Sequence, residues 1–241
     1  MSNILTGIEV RGCNLRRSWR HLDAEAQRRA LATLPVVEAM NVRQTIAVDL
    51  VRLYCAPDIQ IAFLERQLIV ERDGGNLINM STLYEQFRSR FVTLGWQLGS
   101  SCIGDLRLAW QGATMGPNAG HVRFPLRRAG VAAQRQFDED RLIDCWIGLE
   151  GLLMHKDDRR SAVKQVVTRA QRLLGIDDRQ TRQLGVELGK SFGVRSAVVH
   201  GDVSYDDASV LEAISVAGDV LAKSLRTFIQ SGQPIEIRQL G

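Results

Sequence analysis

In the second half of the chain, apolar residues recur at three- and four-residue spacing, the period of a helix with one buried face. Acidic pairs punctuate the pattern: Asp138-Glu139-Asp140, Asp157-Asp158, Asp177-Asp178 and Asp206-Asp207 each stand directly before a helical run. Carboxylates at such positions cap free N–H groups and complement the positive helix end. Gly175 and Gly201 suit the left-handed position that stops a helix. The pattern therefore predicts four helices, about 139–155, 159–174, 178–200 and 207–230, and short connections between them imply antiparallel neighbours in a bundle. On the first, Leu142, Trp146, Leu149 and Leu153 form an apolar stripe that Ile143 and Ile147 flank, while Glu150 projects between the two rows. Asp144 falls on the far side and is expected to meet solvent. The acidic pairs read as helix starts and not as metal ligands.

The first half is less regular. Ile4, Leu5, Ile8 and Val10 suggest a short strand, the run from Asp23 is rich in helix formers, and Pro35 interrupts it. Val37, Met40, Ile46, Leu50 and Leu53 then sit near helical spacing, as a buried helix would require. Alternation through Ile59, Ile61 and Phe63, then Leu68–Val70 and Asp73-Gly74-Gly75-Asn76, reads as strand and turn. Ser81 resembles an N-cap for a helix through Leu83, Phe87, Phe91, Leu94 and Leu98. From Gly99 to Gly130, glycines with Pro117 and Pro125 predict irregular structure with short strands at 106–110 and 121–124, and His121 on a loop. A domain boundary is expected near residue 130. The expected architecture is mainly α: a mixed, mostly helical region over 1–130 with a few short strands, then a helical bundle over 131–241.

One stretch departs from core chemistry. In Phe192-Gly-Val-Arg195-Ser196-Ala-Val-Val-His200-Gly201, Arg195 falls on the side of its helix that carries Leu184, Leu188, Ser191 and Val199. A guanidinium there keeps its proton and needs an anionic partner. Glu150, the other charge in apolar surroundings, is the expected one. His200 sits in the last turn, where helix carbonyls favour a protonated imidazole. Residues five apart on an ideal helix lie about 140° apart, so Arg195 and His200 do not share a face.

These residues resemble the end of the third helix of HEPN domains, the Apea-like family in particular. The segment Asp138–Leu153 is similar to that family's first helix and Thr168–Gly175 to its second, so the resemblance covers about residues 130–241. It implies a four-helix HEPN-like bundle and a metal-independent endoribonuclease acting as a homodimer, with two Arg-x-x-x-x-His helices lining one cleft. Attack by a ribose 2′-hydroxyl would leave a 2′,3′-cyclic phosphate and a 5′-hydroxyl. His200 would serve acid–base steps, Arg195 would meet the phosphoryl charge, and Ser196 would orient the arginine or touch phosphate. Glu150 completes the candidate site. No cofactor is implied, and the partners implied are RNA, a second copy, and an antitoxin or phage-defence component. The family often carries an aromatic directly before the arginine, where this chain has Val194; Gly193 within the helix costs about 1 kcal/mol relative to alanine and favours a local bend or a degenerate site. A catalytically silent HEPN-type module for dimerisation or nucleotide or RNA binding is the alternative.

Composition changes this picture little. Net charge is +4, and with lysine only at 156, 164, 190 and 223 nearly all the positive charge is arginine. Its planar fork suits phosphate, although GC-rich coding produces the same bias. Trp19 and His21 among Arg11, Arg16, Arg17 and Arg20 could form a base-stacking edge, though an amphipathic edge is the commoner outcome. Cys13, Cys55, Cys102 and Cys145 lack metal-ligand spacing, which argues against zinc and against a disulfide framework. No window approaches the ~20 apolar residues of a membrane span, and no signal-peptide layout opens the chain; the expected location is cytoplasmic, with no membrane partner.

Overall fold

The structure is a computed structural model that describes residues 42–43, 45–55, 63–71, 77–85, 100–158, 161–201 and 206–240. The strand at 4–10, the helix from Asp23 and the basic edge around Trp19 lie outside the described residues, as does the run 86–98. The chain divides into two compact units, Met1–Val42 with Gln60–Thr93, and Arg43–Ile59 with Leu94–Gly241. In the first, β1 (Phe63–Glu71) pairs antiparallel with β2 (Leu77–Glu85), in register from Phe63 opposite Glu85 to Glu71 opposite Leu77. Residues 81–85 thus belong to a strand and not to the expected helix start at Ser81. Inter-strand pairing satisfies the backbone groups that an N-cap would otherwise have to meet.

The second unit is helical among its described residues: α1 (45–54), α2 (Ser100–Met115), α3 (Ala119–Ala132), α4 (Asp138–Leu153), α5 (Ala162–Leu174), α6 (Asp178–His200) and α7 (Asp207–Gln230), with a 3₁₀ turn at Ile237–Leu240. The four C-terminal helices fall within a few residues of their predicted bounds. Residues 100–132 do not. Leu106-Arg-Leu-Ala-Trp110 alternates like a strand, yet Ala109 and Ala113 are buried one turn apart while Leu106 and Trp110 are half-buried, which is a helical face. Pro125 lies inside α3 and is buried with Val122 and Leu126. A proline there removes one helical hydrogen bond at about 3 kcal/mol, which the burial of its neighbours offsets. Because α2 and α3 pack with α7 and α4, residues 100–132 belong with the bundle, and the unit division does not fall near residue 130.

The stripe on α4 forms the centre of the core: Leu142, Trp146, Leu149 and Leu153 are fully buried, facing Leu188 of α6 and Leu221, Leu225 and Phe228 of α7. Ile46, Leu50 and Leu53 of α1 join the same core. The acidic pairs divide by role. Asp177 and Asp206 cap α6 and α7, Asp177 in a reciprocal capping box with Gln180. Asp138–Asp140 line the first turn of α4, whose N-cap is Phe137. Asp158 caps nothing, because Ser161 precedes α5 and the Asp158 carboxylate is taken by Arg169.

Candidate functional site

The predicted site lies on the C-terminal half of α6. This 23-residue helix buries only Leu188 and Ser191, although several flanking residues are half-buried. Its end is set by Gly201, at φ 70°, whose N–H bonds back to the Ala197 and Val198 carbonyls. A residue with a Cβ is strained in that left-handed conformation, so glycine fixes where the helix stops and leaves His200 exposed in its last turn.

Arg195 is supported from below by aromatic side chains. The Trp146 indole N–H donates to Ser191 Oγ at 3.0 Å, and the Ser191 hydroxyl donates to the Ala213 carbonyl at 2.8 Å, tying α4, α6 and α7 at a buried point. Phe192 meets Trp146 edge-on, centroids 5.1 Å apart at 75°. The Arg195 guanidinium carbon then sits 5.5 Å from the Phe192 centroid, a cation–π geometry between i and i+3 neighbours. Its Nε is buried without a hydrogen-bond partner. Arg195 is therefore neither splayed into solvent nor ion-paired: among the described residues it has no carboxylate partner, and the expected pair with Glu150 does not form. Glu150 is half-buried on α4, with no side-chain bond among the described residues. The ring face of Phe192 replaces the carboxylate as the surface that receives the cation. The sequence carries the signal in the aromatic position: Phe192 lies one turn before Arg195 and next to Ser191, which falls on the inward side of the helix.

The other candidates sit close by in sequence but do not converge. Ser196 is half-buried and makes no hydrogen bond among the described residues, not even the back-bond to its own turn. His200 is about 7.5 Å further along the helix axis than Arg195 by helical rise. The helix runs unbroken through Gly193, beside which space is open.

Several charged and titratable side chains sit in surroundings that the sequence pattern does not suggest. Asp144, expected at the surface, is 2% exposed and held between Arg128 Nη1 at 2.8 Å and Arg135 Nε at 2.6 Å. Arg128 comes from α3, in the stretch expected to lie outside the bundle, and Arg135 from the loop that follows it. Arg169, on α5, is equally buried; it grips Asp158 with both terminal nitrogens and donates to the Leu153 carbonyl at 2.8 Å. The guanidinium holds the Asp158 carboxyl down at about 2. Asp49 on α1 behaves oppositely: burial raises it to about 7 against the opposing pull of Arg127 and Arg52. His121 lies within α3, not on a loop, its Nε2 2.8 Å from the Leu152 carbonyl and its ring 5.1 Å from that of Phe228. His155 receives the Asp157 N–H on Nδ1.

Among the described residues no three His, Cys, Asp or Glu side chains are grouped to hold a metal ion, and no helix is long and apolar enough to cross a membrane. Cys145 is a free, buried thiol pushed up to about 12 by burial, which makes it a poor nucleophile. Comparison of the chain with family models, with curated proteins and with solved structures finds no match.

Proposed function

We propose that the C-terminal bundle is a HEPN-type endoribonuclease that cuts RNA without a metal ion, using Arg195 and His200 from two copies of the chain. One observation carries the reading: Arg195 is held half-buried on an aromatic ring with no carboxylate partner among the described residues, five residues before an exposed imidazole at a helix end. A fixed cation with no counter-charge among the described residues suits an external anion such as phosphate. In the reaction, one imidazole removes the proton of a ribose 2′-hydroxyl, whose oxygen attacks the adjacent phosphorus. The bond to the 5′-oxygen breaks, and that oxygen takes a proton from a second imidazole. The products are a 2′,3′-cyclic phosphate and a 5′-hydroxyl, and Arg195 meets the charge that develops on the phosphoryl oxygens. Two copies are required because Arg195 and His200 of one helix point about 140° apart. Glu150 takes no step through Arg195 in this scheme, and Ser196, with no hydrogen bond among the described residues, is available to phosphate. A cytoplasmic setting in phage defence or under an antitoxin accords with an enzyme that destroys RNA.

A second reading, a catalytically silent HEPN-type module that dimerises or binds nucleotide or RNA, is favoured by the way the Arg195 guanidinium lies over Phe192 instead of standing free. Incubating the purified chain with end-labelled RNA in excess EDTA separates the two. The nuclease reading expects cutting that His200→Ala and Arg195→Gln each reduce by at least about 100-fold, the usual range for a lost acid–base group. Absence of cutting, or cutting indifferent to both substitutions, leaves the silent module.

A further inference from the structure

Apart from the Arg195 site, the chain carries an uninterrupted basic stretch that the proposed cleavage does not use. Between Asp105 and Asp138 there are five arginines and no acidic residue. The structure turns much of that stretch into one helix surface. On α3, Arg123, Phe124 and Arg127 are exposed; the first two stand three and four residues after Gly120 and Arg127 four and three after them, so they share the outward side. Phe124 is 50% exposed yet seated: a Cβ at Gly151 of α4 would meet its ring at 2.8 Å, so the ring rests directly on the α4 backbone. The Arg128 guanidinium carbon lies 5.2 Å from that ring's centroid, and the same side chain is anchored to Asp144.

The charges around this ring do not cancel. Arg123 has no acidic partner among the described residues, and Arg127 reaches only the buried Asp49, at 3.8 Å. Arg128 and Arg135 share the single carboxylate of Asp144. Among the described residues the four guanidinium groups of Arg123, Arg127, Arg128 and Arg135 thus meet two carboxylates. Arg128, held by Asp144 with the Phe124 ring beneath it, presents its guanidinium plane in a fixed orientation, at a site where the aromatic keeps half its surface open and Arg123 and Arg127 add exposed charge. A phosphate backbone neutralises the surplus charge, and an unstacked base can lie on the ring or on a guanidinium plane. A membrane surface fits less well, because Phe124 is the one apolar side chain on the outward side of α3 and insertion needs a broad apolar face.

We propose that the outward face of α3, centred on Arg123, Phe124 and Arg127, docks the backbone of single-stranded RNA. The choice of RNA among polyanions rests on the ribonuclease reading; the surface itself does not. In this arrangement α3 holds the strand while Arg195 and His200 act on it, and affinity is set apart from chemistry.

The test uses the full chain in a His200→Ala background, so that bound RNA stays whole, with a fluorescent single-stranded RNA of about 16 nucleotides followed by anisotropy across a salt series. Arg123→Glu, at an exposed position with no acidic partner among the described residues, is expected to weaken binding about tenfold at ~0.1 M salt and to lower the salt slope by about 0.7, the contribution of one single-strand phosphate contact. Phe124→Leu is expected to weaken binding about fivefold or more, the lower end of a base-stacking contribution, with the salt slope unchanged. Unaltered affinity in Arg123→Glu overturns the proposal, as does failure of the His200→Ala chain to bind RNA. Loss of binding to phosphatidylserine vesicles in Arg123→Glu with RNA affinity intact overturns it too, in favour of a membrane surface. Should the unmodified chain fail to cut RNA in EDTA while Arg123→Glu still weakens binding, the cleavage reading falls and the docking surface stands.

Discussion

Replacing Ser191 by alanine removes the only hydrogen-bond acceptor that the Trp146 indole N–H has among the described residues. Trp146 is 0% exposed and Ser191 1%, so water does not take the place of the hydroxyl. A buried donor left unsatisfied costs about 1–3 kcal/mol. The Ala213 carbonyl loses the hydroxyl but keeps its place in the helical ladder of α7, so little is added there. We expect Ser191→Ala to destabilise the fold by about 2 kcal/mol, which for a chain of this size lowers Tm by about 4–8 °C. Urea unfolding followed by far-UV circular dichroism measures the difference. Trp146→Phe removes the donor and leaves Ser191 bonded to Ala213, so adding Ser191→Ala to it costs less than on the unmodified chain. The double-mutant cycle should show a coupling of about 1 kcal/mol. A single-variant loss under about 0.5 kcal/mol, or additive effects in the cycle, refutes the claim that this bond is dry and unshared.

Three further outcomes follow from the ion pairs and the helix end. Arg169→Met strips the cation from Asp158 and a donor from the Leu153 carbonyl, and should cost about 3 kcal/mol near neutral pH by urea unfolding. Because Asp158 is held down at about 2, its stabilising contribution is present above its unfolded value near 4 and disappears as pH falls toward 2. The contribution is on the order of 1–2 kcal/mol after solvent screening, and the variant should lack that acid-dependent loss. Asp49 works in the other direction: raised from 3.8 to about 7, it keeps a proton in the folded state that the unfolded chain has released. Stability from this group therefore falls as pH rises from about 4 to 7, and Asp49→Asn should flatten the denaturation midpoint across that window. Gly201→Ala forces a Cβ into a φ of 70°, which should cost about 1 kcal/mol and, by fraying the turn that carries His200, reduce RNA cleavage by more than the stability loss explains.

The C-terminal helices were legible because three local signals agreed there: the apolar period, the caps at Asp177 and Asp206, and the glycine stops at 175 and 201. Residues 100–132 were not, since a proline inside α3 and an alternating Leu106–Trp110 run outweighed, in the sequence, a helical face built from Ala109, Ala113, Val122 and Leu126. Small residues at close helix contacts leave a faint hydrophobic signature even when fully buried. The same gap hid the partners of Asp144. Its surroundings come from Arg128 and Arg135, and without α3 in place the carboxylate had nothing to face. At the candidate site, the positions of Arg195, His200 and Gly201 along α6 were readable from spacing. The partner of Arg195 was not: a carboxylate was sought for the cation, whereas the receiving surface is the Phe192 ring carried on Trp146.

The ribose 2′-hydroxyl is the group on which the proposed chemistry turns. One oligonucleotide of a cleavable sequence, compared in excess EDTA with the same sequence 2′-O-methylated at the cut position, probes it directly. The account predicts that the unmodified strand is cut to a 2′,3′-cyclic phosphate and a 5′-hydroxyl and that the methylated strand survives intact. Equal cutting of both strands, or a 5′-phosphate on the downstream product, contradicts it.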